Sequence, residues 1–310
     1  MNHVKTMPVP EPAVTRRRAH PARRGDWQGY LYILPALGFY LLFTFTPIIW
    51  NLVISLRAGG GPAEQSITFS LQHYQSIFED AIFRRALWNN ILWLVMHVGF
   101  AGGFGLAIAV FISRVQVLQR FIRTAFFLPH VVSLAVVGVI WSMVYDPFYG
   151  LLNNLLKNIG LSGLAANWLG DTSLVLPSIN IASSWQAYGL YMLLFLAGLQ
   201  TIDRQLYDAA EVDGANAWQQ FFHITIPGLR EIMVLVISLA VINSFKGFAT
   251  VWVMTQGGPF YSSELLATYI YKLAFRFQDD GKAAALSMVL GLLAITSTLL
   301  YNKWRERVSR

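Results

Sequence analysis

The 310 residues include no cysteine, which excludes disulfides, a thiolate nucleophile and thiolate metal ligands. Charge is also scarce: 13% of residues are Asp, Glu, Lys or Arg, against a hydrophobic fraction of 55%. No G-x-x-x-x-G-K-[ST] phosphate loop is present, and the one Gly-Lys pair, Gly281-Lys282, runs on into Ala283, so ATP hydrolysis by this chain is not expected. The six histidines, at 3, 20, 73, 97, 130 and 223, form no H-E-x-x-H or i, i+4 pair, so no metal site is expected. A membrane-embedded enzyme would need an acid, base or metal cluster at a membrane face, and the sequence offers none.

What the chain has is long apolar runs. A helix needs roughly 20 apolar residues to cross the hydrocarbon of a bilayer. Six stretches meet that length with few or no charges: 30–56, 86–113, 124–145, 172–202, 232–263 (interrupted only by Lys246) and 283–302. The expected fold is all-α, a polytopic membrane protein with six transmembrane helices. Shorter apolar pieces at 148–156 and 159–169 are read as a loop near the outer surface. The net charge of +7 comes from basic residues at the chain ends and between apolar runs, which suits lipid headgroups rather than nucleic acid.

Residues 1–26 carry five arginines among four prolines and read as a disordered basic tail; the charge-free stretch that follows is too long for a signal core. Six spans put both termini on one side. Fifteen basic residues fall on that side and seven on the other, so the positive-inside rule makes both termini cytoplasmic, together with segment 207–227. Within the spans, Gly99 and Gly103, with Gly102 and Gly105 beside them, suit close helix packing, and Pro35 and Pro47 can kink the first span.

The segment YDAAEVDGANAWQQFFHITIP, 207–227, is polar and Ala-rich between two long apolar runs. Thr201 or Asp203 can cap a helix start, and Asp203, Asp208 and Glu211 place negative charge along its early turns. Gly214 supplies the positive φ that ends the helix, and Asn216 starts a second piece through Trp218, Phe221 and Phe222 to Pro227. Residues Leu206, Ala209 and Ala210 leave one side small and apolar, open to close approach. An ordinary interfacial amphipathic helix is the alternative reading.

Asp208-Ala209-Ala210, Asp213-Gly214-Ala215, Ile224 and Ile226-Pro227 resemble the EAA loop of permeases in binding-protein-dependent ABC importers, most closely the carbohydrate branch that carries maltose-type, oligosaccharide and glycerol-phosphate systems. Supporting stretches are 121–129 (FIRTAFFLP), 150–153 (GLLN) and 254–259 (MTQGGP), the last two similar to the first of the two permease types. The resemblance covers about nine-tenths of the chain. It departs at Asp208, where the family has Glu, and at Glu231, where it usually has Pro; the large external insertion of some maltose permeases is absent.

The resemblance implies a type I ABC importer permease fold: residues 27–310 as a six-span permease domain in the bacterial cytoplasmic membrane, with a coupling loop at 203–227. ATPase coupling would fall to Leu206, Tyr207, Asp208, Ala209, Ala210, Asp213 and Gly214. Implied partners are a second permease subunit, an ATPase dimer that binds the ATP and Mg, an extracytoplasmic solute-binding protein and a sugar; this chain needs no cofactor of its own. The substrate path would involve His130, Ser183, Gln186, Asn243, Ser244, Lys246 and Gly247, with helix-to-helix hydrogen bonding as the alternative role for the polar ones. Lys246 keeps an anionic solute such as glycerol 3-phosphate open.

Overall fold

The computed structural model describes residues 27–58, 68–115 and 118–308; the basic segment 1–26 lies outside the described residues. The chain divides into two units, one ending at Ile49 and one running from Trp50 to Arg310. The first unit is helical. Helix α1 (Trp27–Tyr40) passes through a π turn, Leu41–Phe45, into α2 (Thr46–Leu56), and the wide turn comes just before Pro47, which has no N–H to donate. Leu31, Tyr32, Phe39 and Phe43 are all exposed, as expected of a helix solvated by lipid or another subunit.

The second unit opens with a two-residue antiparallel pair, β1 (Arg57–Ala58) and β2 (Thr68–Phe69), the only strands among the described residues. Then come α3 (Gln72–Glu79) and α4 (Ala81–His97), which continues through a π turn, Val98–Gly102, into α5 (Gly103–Arg114). The Asp80 carboxylate caps α4 by accepting from Ile82 N at 2.8 Å, so the helix starts five residues before the apolar run read at 86–113. Next are α6 (Gln119–Val131), α7 (Leu134–Val144) and α8 (Leu151–Asn158). The 25-residue α9 (Val175–Leu199) leads to the polar segment, α10 (Arg204–Val212), α11 (Ala217–Gln220) and α12 (Ile226–Gly228). The chain ends with α13 (Arg230–Phe245), α14 (Ala249–Met254), α15 (Leu266–Tyr271) and α16 (Asp280–Val308).

Among the described residues, three helices are long and apolar enough to cross a membrane: Leu31–Leu56, Ala81–Arg114 and Asp280–Leu299. Two bent pairs raise the number to five. Helix α9 is about 37 Å long at 1.5 Å per residue, but Asn180, Ser183, Ser184 and Gln186 dilute its apolarity.

Two of the six runs are not single helices. Run 124–145 bends by 96° between α6 and α7, where Val132 and Ser133 are extended. The Gln186 amide of α9 satisfies the carbonyls freed there, donating to His130 O at 3.0 Å and Val132 O at 3.2 Å. Run 232–263 stops as a helix at Phe245. The Ser244 carbonyl accepts from Asn90 Nδ2 at 3.1 Å, and the chain resumes as the short α14 before irregular backbone. Apolarity sustained both runs, but side-chain amides from neighbouring helices made breaking them inexpensive.

The core of the second unit forms around α9, which packs against α4, α5, α6, α7, α13 and α14. Lipid is as apolar as leucine, so close packing and internal hydrogen bonds must hold such a bundle together. Gly105 is where α5 meets α9: a Cβ there would lie 3.0 Å from Met192 N and from Tyr191 Cβ. The small-residue contact expected at Gly99 and Gly103 is not formed, because a Cβ at either would meet nothing within 4 Å. Gly99 and Gly103 lie on the exposed side of the helix, opposite Gly105.

The region read as an irregular outer loop contains α8. Asn153 is buried and organises it: Nδ2 donates to Ala166 O at 3.0 Å, while Oδ1 accepts from Trp168 Nε1 at 2.8 Å. The GLLN stretch therefore ends in the residue that ties 151–158 to 166–168.

Candidate coupling segment and solute path

Segment 203–227 is held by local bonds. Asp203 caps α10, its carboxylate accepting from Gln205 N at 3.0 Å. The helix ends in a Schellman motif: Ala215 N donates to Ala210 O at 2.9 Å and Gly214 N to Glu211 O at 3.1 Å, with Gly214 at φ +79°. Asn216 and Gln219 then form a reciprocal capping box, at 2.9 and 2.7 Å, that starts α11. Trp218 stacks on Phe222 with ring centres 6.0 Å apart.

No residue of α10 is buried. Leu206, Val212 (89% exposed), Trp218 (72%) and Phe222 present apolar surface outward. Asp208, Ala209 and Asp213 are exposed, Ala210 is half-buried, and the Tyr207 hydroxyl bonds Thr225 Oγ1 at 2.9 Å, closing the segment on itself. Its far end is anchored: Leu229 is fully buried, and a Cβ on Gly198 of α9 would come within 2.6 Å of Ile232 Cγ1 and 2.8 Å of Leu229 Cδ2. An exposed, self-capped helix thus joins rigidly to the end of the central helix.

Of the residues chosen for the solute path, the structure brings His130 and Gln186 together. Gln186 donates to the His130 carbonyl, and His130 Nδ1 lies 3.2 Å from Gln186 O. Both hold the α6–α7 bend. Ser244 is buried with its hydroxyl on Val241 O at 2.8 Å, and Gly247 lies where a Cβ would be 3.1 Å from Leu265 Cδ1; both belong to the break after α13. Ser183 is buried in α9, while Asn243 and Lys246 are exposed. Lys246 forms no ion pair among the described residues.

An apolar cleft of about 290 Å³ lies beside α9, walled by Phe104, Trp141, Trp185 and Tyr188. Ser184 reaches it, but its hydroxyl is bound to Asn180 Oδ1 and His97 Nδ1, each at 3.2 Å. His97, Asn180, Asn89 and Asn90 are buried polar groups that sequence reasoning did not select. The adjacent amides Asn89-Asn90, inside an otherwise apolar run, were the available signal.

Of the loop 255–265, sequence reasoning marked 254–259 and not the remainder. Gln256, Gly257, Phe260 and Tyr261 all have positive φ, at +52°, +84°, +49° and +60°. Asn89 Nδ2 donates to the carbonyls of Tyr261, Ser262 and Glu264 at 3.4, 3.1 and 2.9 Å. Glu264 and Lys272 form a buried ion pair. Among the described residues, no group of three or more His, Asp or Glu could hold a metal ion.

Apolar helices around a polar-threaded central helix, with an exposed capped helix between two of them, define a multi-pass membrane protein of the permease class. Residues 99–310 match the family described as binding-protein-dependent transport system inner membrane component, and the chain belongs to that family, the permease subunits of ABC importers. It is 36% identical to the probable ABC transporter permease protein YurN of Bacillus subtilis, over 89% of this chain and 94% of that one. It is 32% identical to the lactose transport system permease protein LacF of Rhizobium radiobacter, over 94% and 99%. Its fold is that of a chain in the crystal structure of a bacterial alginate ABC transporter in complex with alginate pentasaccharide-bound periplasmic protein (TM-score 0.79, 23% identity, 92% of this chain and 96% of that chain).

Proposed function

We propose that this chain forms half of the translocation path of an ATP-driven importer for a sugar or oligosaccharide in the bacterial cytoplasmic membrane. It has six spans with both termini cytoplasmic, and it works with a second permease, an ATPase dimer that binds ATP and Mg, and an extracytoplasmic solute-binding protein. The observation that carries the coupling role is the exposed helix Arg204–Val212, capped by Asp203, ended by Gly214 and continued to the anchor at Leu229. A helix that satisfies its own ends needs nothing from the bundle to keep its shape, so it can sit in a partner's groove and pass motion to α9 and α13. Leu206, Tyr207, Asp208, Ala209, Ala210, Asp213 and Gly214 make that contact. The lactose permease and alginate transporter relatives support a saccharide as the solute.

Asn243 and Lys246 are the exposed path residues, and Ser183 and Ser244 are buried ones. His130, Gln186 and Gly247 act by positioning, since they hold the two helix breaks. Lys246, without an ion pair among the described residues, favours a second reading, a permease for glycerol 3-phosphate or a similar small anion. Uptake competition between maltotriose and glycerol 3-phosphate decides between the two. The coupling role is tested by deleting 206–214: the protein should still insert in the membrane but no longer co-purify with its ATPase. Retained co-purification and transport would refute it.

A further inference from the structure

A cavity of about 480 Å³, lined by none of the path residues, lies between one face of α4, the start of α9 and the loop 255–265. Its polar wall is Arg85, Trp88, Asn89, Thr172, Ser173 and Ser262, and the remainder is apolar. Arg85, Trp88 and Asn89 share a face of α4 because they are three and four residues apart. We propose that this cavity is a receiving site for an acidic saccharide, in which Arg85 engages a carboxylate or sulfonate and Trp88 stacks on a sugar face. The proposal rests on the saccharide-importer reading and adds a substrate class to it.

Three observations carry it. Arg85 is exposed and in no ion pair among the described residues; Nη2 donates to Ser262 Oγ at 3.0 Å, which orients the guanidinium and leaves most of its N–H groups available. Trp88 is 58% exposed at the cavity, and an indole face there serves the C–H face of a sugar ring while the Thr172 hydroxyl serves its polar edge.

The wall is also built to hold its shape. Ser262 follows Phe260 and Tyr261, both in the left-handed region, a conformation that persists only where the surroundings over-determine it. Asn89 does so from the cavity side by donating to the carbonyls of Tyr261, Ser262 and Glu264, and the buried Glu264–Lys272 pair adds a second tie. Asp171, the nearby carboxylate, accepts from Ser173 Oγ at 2.6 Å and Ser173 N at 2.7 Å, which turns that oxygen toward its own turn while its charge remains.

The test uses the complete transporter, with its second permease and ATPase, in phosphatidylcholine nanodiscs, titrated calorimetrically with trigalacturonate and with maltotriose. Wild type should bind trigalacturonate, and Arg85→Gln should weaken that binding at least about tenfold while changing maltotriose affinity less than about twofold. Thr172→Trp, which fills the cavity and keeps Arg85, should also abolish trigalacturonate binding. The site is overturned if wild type does not bind trigalacturonate, if Arg85→Gln binds it unchanged, or if both sugars weaken alike. Added phosphatidylglycerol should leave the trigalacturonate affinity unchanged; Arg85-dependent displacement by it would assign the cavity to a lipid headgroup and overturn the proposal. Proteoliposome uptake separates the two failures. Absence of any saccharide uptake defeats the importer reading, whereas uptake of acidic saccharides indifferent to Arg85→Gln defeats only this site.

Discussion

Segment 203–227 and loop 255–265 are both polar stretches following apolar helices, yet they are held by opposite means. In the first, the caps, the Schellman bonds and the capping box all close within five residues, and no residue of α10 is buried. In the second, the decisive bonds come from Arg85 and Asn89, more than 170 residues away, and from a buried ion pair. A self-supporting segment can change partners without losing its form. A clamped loop keeps its form only while the bundle is intact, which suits a wall and not a lever.

The largest expected effect lies in the clamped loop. Glu264→Leu leaves the Lys272 ammonium buried without its partner and should cost about 3–5 kcal/mol in thermal melting of the purified complex, whereas the double change Glu264→Leu, Lys272→Leu should recover most of that loss. A single-variant loss well under 1 kcal/mol would weaken the contrast, since the buried ion pair would then not be holding the loop. Next is Asn89→Ala, which strips three carbonyls of a donor at once and should cost about 2–3 kcal/mol. Hydrogen exchange should quicken across 260–264 and stay unchanged across 203–227; spread of the effect into both segments would show that they are not independent.

The same contrast explains what was legible in the sequence. Asp203, Gly214 and Asn216 were readable because a cap acts on backbone two or three residues away, so the signal and its consequence share one window. The bends at 132–133 and after Phe245 were not readable, because hydropathy is the same in a straight run and a broken one. Pro129 was visible, yet Pro35 lies inside α1 as well, so proline alone did not mark the bend. What breaks the third run is Gln186, 54 residues past Val132. His130 and Gln186 were singled out as polar groups in apolar runs, and only the fold shows that they brace each other. Glu264, one residue past the run at 232–263, is buried, which its place at the end of an apolar run does not reveal.

A smaller effect belongs to the local segment. Gly214→Ala must place a Cβ at φ +79°, which costs about 1 kcal/mol, and Gly214→Asn should cost less because Asn tolerates the left-handed region. No neighbouring atom obstructs that Cβ, so the penalty is purely conformational. Faster hydrogen exchange should be confined to 204–220. Exchange that also quickened in α9 would mean that the segment is not self-supporting.

Asp80 combines both kinds of support, and a pH titration separates them. One oxygen caps α4 locally through Ile82 N; the other accepts from Lys282 Nζ at 2.6 Å and from the Tyr269 hydroxyl, 202 and 189 residues away. Burial pushes the Asp80 carboxyl up, but the hydrogen bonds from Lys282, Tyr269 and Ile82 outweigh it and hold the group below the ordinary aspartate value of 3.8. A carboxylate held low contributes stability that is fully present above its unfolded pKa and is lost as pH falls through the folded one. Asn is as good a cap as Asp, so Asp80→Asn keeps the local role and removes the charge. The melting gap between wild type and Asp80→Asn should therefore be constant from neutral pH down to about pH 5 and close as pH falls below the ordinary aspartate value. A gap that stayed open in acid would show that the contribution of Asp80 does not come from the charge it offers Lys282.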